Sequence, residues 1–268
     1  MKESQMWLSG EMGGTVQPGE IEEEGYSAGF KCIAGLDEVG RGPLAGPVVA
    51  AAVILPREFL VSSSGLRVDS RVKTPDPELE IKDSKLLTFK EREALAPWIK
   101  EKALAWGLGM VASKEIDRMN ILKASLLAMA HAFRQLQPAP DYLLIDGPYE
   151  IPLTFFKAGG GRKIPSTPCL AAHIFPHQRA IKKGDRLCLS IAAASIVAKV
   201  ARDQMMIEYD KLYPKYGFAQ HKGYGSPLHL AALRRYGPSP IHRRSFRPVR
   251  ELLAPACDVG PVPLFPEE

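Results

Sequence analysis

Short apolar runs separated by glycine and proline open the chain, and two of them carry the composition of strands. Residues 32–39 (CIAGLDEV) and 47–55 (PVVAAAVIL) flank "GRGPLAG" and predict two paired strands. Residues 104–112 (LAWGLGMVA) predict a third. Between them, "DSKLLTFKEREALAPWIKEKALA" predicts a helix opening near Thr88, where Thr88 and Glu91 have the spacing of a capping box. The period then becomes helical: Ile116, Met119, Leu122, Leu126, Met129 and Phe133 fall on one face, and Pro138 and Pro140 end the helix. "DYLLIDG" predicts a short strand finishing at Asp146-Gly147, and "CLAAHIF" (169–175) a further one. "LSIAAASIVAKVARDQMMIEYDKLYPKYG" predicts a long helix with an alanine-rich start, and "SPLHLAALRRYG" a short one. Strands early, then helix, strand and further helices, argue an α/β fold.

The flanks differ in character. Residues 1–29 are polar and glycine-rich, with the run Glu22-Glu23-Glu24, and predict a flexible N-terminal extension. Residues 30–254 form the expected domain, and 255–268 a disordered proline-rich tail. Residues 61–80 and 157–168 predict loops. A chain of 268 residues suits one large domain. No apolar run approaches the ~18 residues of a membrane span, and the start lacks the pattern of a signal peptide. A cytoplasmic protein without a membrane partner is therefore expected. Cys32, Cys169, Cys188 and Cys257 are scattered without C-x-x-C spacing, which argues for reduced thiols over zinc or disulfides.

Charge narrows the partner. The net charge is +5, but residues 199–250 hold eleven Lys or Arg against three acids. A basic segment of this kind favours a polyanion, with a solvated basic face as the bland alternative.

Candidate chemistry lies in carboxylates. Asp37 and Glu38 are adjacent inside an apolar run, so strand alternation sends them to opposite faces. An unpaired buried carboxylate is costly, and a bulge or the following glycines could bring both to one rim. Asp146 ends a strand, at the edge where α/β sheets bind ligands. Asp185 precedes the long helix, where the helix N-terminus favours an anion. Each acid alone reads as a turn or cap residue. Together, without His or Cys, they suit Mg²⁺ or Mn²⁺. Two such ions ~3.5–4 Å apart can activate a water and stabilise a leaving oxygen in phosphodiester cleavage.

The chain resembles bacterial ribonuclease HII. "GLDEVGRGPLAGPVVAAAVIL", "KDSKLLTFKERE", "IDG", "KKGD…SIAAASIVAKVARD", "YPKYGFAQHKGYGSPLHL" and "HRRSF" are similar to that family's blocks, in order, over residues 32–253. The resemblance implies a ribonuclease H-like fold, a five-stranded mixed sheet flanked by helices with a helical C-terminal part. It implies cleavage of RNA in RNA/DNA hybrids and of single ribonucleotides in duplex DNA, cutting 5′ to the ribonucleotide to leave 3′-hydroxyl and 5′-phosphate ends. Asp37, Glu38, Asp146 and Asp185 match its catalytic, metal-holding acids, with two Mg²⁺ or Mn²⁺ ions expected during catalysis. Asp203 is given a structural role.

The resemblance also implies that Gly40, Arg41 and Gly42 read the ribonucleotide, since glycine admits a sugar closely and backbone groups can bond the 2′-hydroxyl. Tyr224 matches the residue that senses the following deoxynucleotide. Lys85, Lys222, Arg243 and Arg244 are candidate phosphate contacts. His221 and His242 are expected to be structural or phosphate-facing, and Ser190 and Ser195 to serve packing or the helix start. The stretches 61–80 and 149–179 are longer than in compact members.

A monomer is expected. Leu264-Phe265 faintly resembles a sliding-clamp peptide, but the glutamine is missing, with Pro261 near its place; a plain tail is the favoured reading, and a weak clamp contact the alternative. A junction-binding module would gain nothing from carboxylates beside phosphates. A junction resolvase would not need devices that discriminate the 2′-hydroxyl.

Overall fold

A computed structural model of the chain describes residues 18–60, 81–157 and 175–253. Five strands form one sheet in the order β3-β2-β1-β4-β5. They are β1 (Ile33–Val39), β2 (Val48–Ile54), β3 (Ala105–Val111), β4 (Tyr142–Asp146) and β5 (His177–Ile181). The pairs β1–β2 and β2–β3 are antiparallel, while β1–β4 and β4–β5 are parallel. The sheet is mixed and five-stranded, as expected, and its centre is β1.

Two helices cover its faces. On one lies α4 (Ile121–Phe133), packing with Ala34, Leu36, Ala50 and Ala52. On the other lies α6 (Leu189–Leu212), packing with Ala51 and Val53 together with α2 (Phe89–Lys102). Small residues let both come close. Ala124, Ala128 and Ala132 recur one turn apart on α4, and a Cβ added at Gly109 of β3 would stand 1.9 Å from the Ala128 carbonyl oxygen. Gly35 of β1 makes the equivalent approach to α6.

Two expectations need correction. The single helix expected after residue 113 is two, α3 (Ser113–Met119) and α4. They break at Asn120, whose φ of 73° and ψ of 164° cannot continue a helix. Its side chain accepts a bond from the Lys123 backbone N–H, so one residue ends a helix and caps the next. A strand is present at His177–Ile181; the one expected at 169–175 lies, but for Phe175, outside the described residues. Part of the expected flexible extension is ordered as helix α1 (Glu20–Ser27). Ile21 joins a small core with Ile33, Leu144 and Ile191. Buried Glu22 accepts from both the backbone N–H and the hydroxyl of Ser190, at 2.9 and 2.8 Å, capping α6 from a distant segment. Nothing in the acidic run marks that one glutamate as an inward-facing cap. The loop at 61–80 and the tail with Leu264-Phe265 also lie outside the described residues.

The capping box at Thr88 and Glu91 is present. The remaining helices are α5 (Leu153–Lys157), α7 (Phe218–His221), α8 (Pro227–Tyr236) and α9 (Arg247–Leu253); the last three form the helical C-terminal part. Among the described residues, no helix is long and apolar enough to cross a membrane.

Candidate active site

Strand register brings the acids together. Leu36 of β1 pairs with Ile145 of β4, so Asp37 and Asp146 follow as neighbours on adjacent parallel strands. The antiparallel register of β1 with β2 runs unbroken through Asp37↔Ala51, Glu38↔Ala50 and Val39↔Val49. No bulge is needed: position at the strand end puts both acids on one rim, opposite alanines. Alternation still separates their surroundings. Asp37 faces α6 and bonds the Ser195 hydroxyl, while Glu38 borders a cleft with Arg41, Ser125, Met129, Asp146 and Tyr149 on the α4 side. Beyond β5, a 3-10 turn at Gly184–Arg186 carries Asp185, and the Gly184 N–H donates to Asp146 Oδ1 at 2.7 Å.

These carboxylates are under electrostatic stress. Burial, then the charges of Glu38 and Asp146, push Asp37 well above the usual carboxylate range. Burial pushes Glu38 up to about 7 against the pull of Arg41, and raises Asp146, to which Asp185 adds. Two cations stand close. Arg41 Nη1 lies 2.9 Å from Glu38 Oε1, and Lys85 Nζ 3.1 Å from Asp185 Oδ2. Among the described residues Asp37 and Asp146 have no ion pair. An oxygen-only, acid-rich set with uncompensated charge fits hard divalent cations. Among the described residues, no three His, Cys, Asp or Glu close into a ready cage.

Beside the acids stands the 40–47 connection. Gly40 has a φ of 97°, and a Cβ there would meet Arg202 Nε at 2.2 Å. Gly42 is open on its outer side; its nearest neighbour would be the Tyr224 ring at 3.7 Å. The two glycines therefore differ: the first makes room for a buried arginine, the second leaves the surface clear beside an exposed tyrosine.

The basic residues divide. Lys85 and Arg244 are exposed. Lys222 is half-buried, with its ammonium bonded to the Ala219 carbonyl. Arg243 is fully buried and donates to three backbone carbonyls, so its expected phosphate contact is withdrawn. Asp203 pairs with Lys199 at 2.6 Å, in keeping with a structural role.

Sequence reasoning passed over Asp83, Ser84 and Arg202. Asp83 is buried, and its carboxylate accepts from the Lys85 N–H and Arg186 Nε. Ser84 meets Ser195 at 2.8 Å, so Ser195 joins the 81–87 segment to Asp37 rather than merely packing. The signal was the "KDSK" block, from which the lysine alone was taken. Arg202 gave none, because an arginine in a mixed polar helix reads as surface.

Behind Tyr224 two histidines form a bonded chain and a third stacks on it. The Ser239 N–H donates to His242 Nδ1 at 2.9 Å, His242 and His229 meet Nε2 to Nε2 at 3.0 Å, and His229 Nδ1 reaches the Tyr224 carbonyl at 2.8 Å. One tautomer set satisfies it: His242 donates from Nε2 and His229 from Nδ1. His221 stacks on His229 at 4.4 Å. Burial first, then a neighbouring histidine in each case, holds His229 and His242 down at about 4. A lowered histidine pKa contributes stability that is full above the unfolded value near 6.5 and is lost as pH falls toward 4. Imidazole titration by NMR should show both rings neutral at pH 5.5; a midpoint near 6.5 for both would refute the arrangement.

Comparisons with known proteins identify the family. The family model described as Ribonuclease HII matches residues 34–249. The Ribonuclease HII of Geobacter sulfurreducens is 48% identical over 234 residues, covering 87% of this chain and 90% of that one. The Ribonuclease HII of Geobacillus thermodenitrificans is 49% identical, covering 87% and 74%. Among solved structures, ribonuclease H2 from Pyrococcus horikoshii superposes with a TM-score of 0.60 at 26% identity, covering 83% of this chain and 97% of that one. At 19% identity and a TM-score of 0.56, an RNase HIII crystallised in complex with Mn²⁺ shows the shared fold; the alignment covers 83% of this chain and 69% of that one. The protein is a nuclease of the ribonuclease H class, and the chain belongs to the ribonuclease HII family.

Proposed function

We propose that this protein is an endoribonuclease that cuts the RNA strand of RNA/DNA hybrids and single ribonucleotides embedded in duplex DNA. The cut falls 5′ to the ribonucleotide and leaves 3′-hydroxyl and 5′-phosphate ends. The carrying observation is the placement of the Gly40–Gly42 segment: Arg41 bonds Glu38 at the acid rim, and Gly42 lies against the exposed Tyr224 ring. A strand entering this rim meets a glycine surface that admits a 2′-hydroxyl, then an aromatic face for the next sugar. The four acids are beside the phosphate between them.

Asp37, Glu38, Asp146 and Asp185 would hold Mg²⁺ or Mn²⁺. When bound, a pair of divalent ions stabilises charge developing on the phosphodiester as water displaces the leaving oxygen. The chain's own residues supply positioning. Gly184 N–H orients Asp146, Ser195 and the Glu38 N–H orient Asp37, and Lys85 holds Asp185. Lys85 and Arg244 offer phosphate contacts.

The test is cleavage of an end-labelled duplex carrying one ribonucleotide, with Mg²⁺ or Mn²⁺, by wild type and Asp146→Asn. A cut 5′ to the ribonucleotide that needs the ion and is lost in the variant is expected. Binding without cleavage in either ion would overturn the reading.

A further inference from the structure

Two arginines, Arg202 and Arg243, are fully buried, yet among the described residues neither has a carboxylate among its hydrogen-bond partners. Their guanidiniums donate to backbone carbonyls. Arg243 takes Gly46 through Nε at 3.0 Å, Arg41 through Nη1 at 2.9 Å and Gly40 through Nη2 at 2.6 Å. Arg202 takes Pro47 at 3.1 Å, Ala45 at 3.3 Å and, from the other side, Lys222 at 3.1 Å. Five of the six carbonyls belong to the single connection 40–47. The sixth lies two residues before Tyr224, whose ring centre is 6.0 Å from the Arg202 guanidinium. Burying two like charges this way is costly. Burial and the neighbouring Arg202 push Arg243 down to about 9, which leaves it charged at neutral pH.

Peptide geometry gives that arrangement a consequence. In a trans peptide the C=O and the following N–H point in opposite directions. Drawing the Gly40 and Arg41 carbonyls inward to Arg243 therefore turns the N–H groups of Arg41 and Gly42 outward. Both residues are exposed. Two successive outward N–H groups beside a buried cation make a surface that favours an oxygen acceptor.

We propose that Arg243 is a specificity-positioning residue: by fixing two peptide planes from behind, it aims the backbone donors of residues 41 and 42 at the ribose 2′-hydroxyl, and Arg202 locks that loop in register with Tyr224. The inference rests on the proposed function and deepens it. A lysine in either place keeps the charge but loses the planar fork that holds several carbonyls at once.

The test is binding, in an Asp146→Asn background that does not cut, to two duplexes identical except for one ribonucleotide. The Asp146→Asn parent should prefer the ribonucleotide duplex. Adding Arg243→Lys should lower that preference by about tenfold, the worth of one hydrogen bond, while affinity for the all-deoxy duplex holds. Adding Arg202→Lys should lower it too, but not further once Tyr224→Ala is present. Thermal melting identifies any variant that fails to fold; if Arg243→Lys does, Arg202→Lys decides by the same ratio. An unchanged preference in a folded variant, or equal losses on both duplexes, overturns the positioning role. A parent that does not distinguish the duplexes overturns the proposed function, and this inference with it.

Discussion

An Asp37→Asn protein should lose cleavage by at least about a thousandfold and melt at a higher temperature than its parent in chelating buffer. The two effects have one origin. Asp37 is buried beside Glu38 and Asp146, and their charges and its burial raise its pKa. Asparagine has the same shape, still accepts the Glu38 N–H now held at 2.7 Å, and removes one buried charge. Relieving it should contribute about 1–2 kcal/mol, a rise of about 2–4 °C per kcal/mol for a chain of this size. On the proposed function the lost carboxylate is a lost ion ligand, so cleavage falls while the fold gains. Scanning calorimetry with a cleavage assay decides: a lower melting temperature would show that Asp37 is stabilised where it lies, and retained cleavage that it holds no ion.

Gly35→Ala should be severely destabilising for the addition of one methyl group. An added Cβ would sit 2.2 Å from the Ser190 carbonyl carbon and 2.3 Å from the Ile191 nitrogen. Those are backbone atoms of the first turn of α6, and they cannot rotate aside. Either β1 or α6 must move, at a cost of roughly 3 kcal/mol or more. The displacement reaches the site, because Gly35 and Asp37 share a face of β1 while Ser190 and Ser195 share α6. Urea unfolding should show a large loss of stability, and the folded fraction should cleave poorly. A midpoint within experimental error of the parent would mean that the sheet and helix are not in contact as described.

Much of this was legible in the residues. Short apolar runs predicted β1, β2, β3 and β4, and the alanine-rich start of α6 marked a helix meant to lie close to a sheet. The adjacency of Asp37 and Glu38 inside an apolar run flagged the site, because burying two carboxylates has no ordinary structural use. What escaped depended on partners distant in sequence. Glu22 looks solvated until Ser190 meets it, and the helix-breaking Asn120 sits inside an unbroken apolar period. Arg243 looks like a phosphate ligand in "HRRSF", since nothing local says that its fork points inward at carbonyls some 200 residues earlier. Basic residues are the hardest to place from pattern alone, because the same side chain serves an outer polyanion and an inner backbone.

The mixed sheet also dictates the order in which the enzyme becomes an enzyme. β1 and β2 pair through a short connection, and β3 adds antiparallel to β2 from beyond α2. The parallel partner β4 must travel back to β1, where Asp141 accepts the backbone N–H of Cys32 across 109 residues. Contacts of such separation close late and slowly. Asp37 and Glu38 sit on the early piece, Asp146 and Asp185 on the late one, so during synthesis on the ribosome the chain holds only half of its acid cluster until β4, β5 and α6 have docked. On the proposed function, a newly made chain is thus unable to cut nucleic acid until its slowest contact has formed.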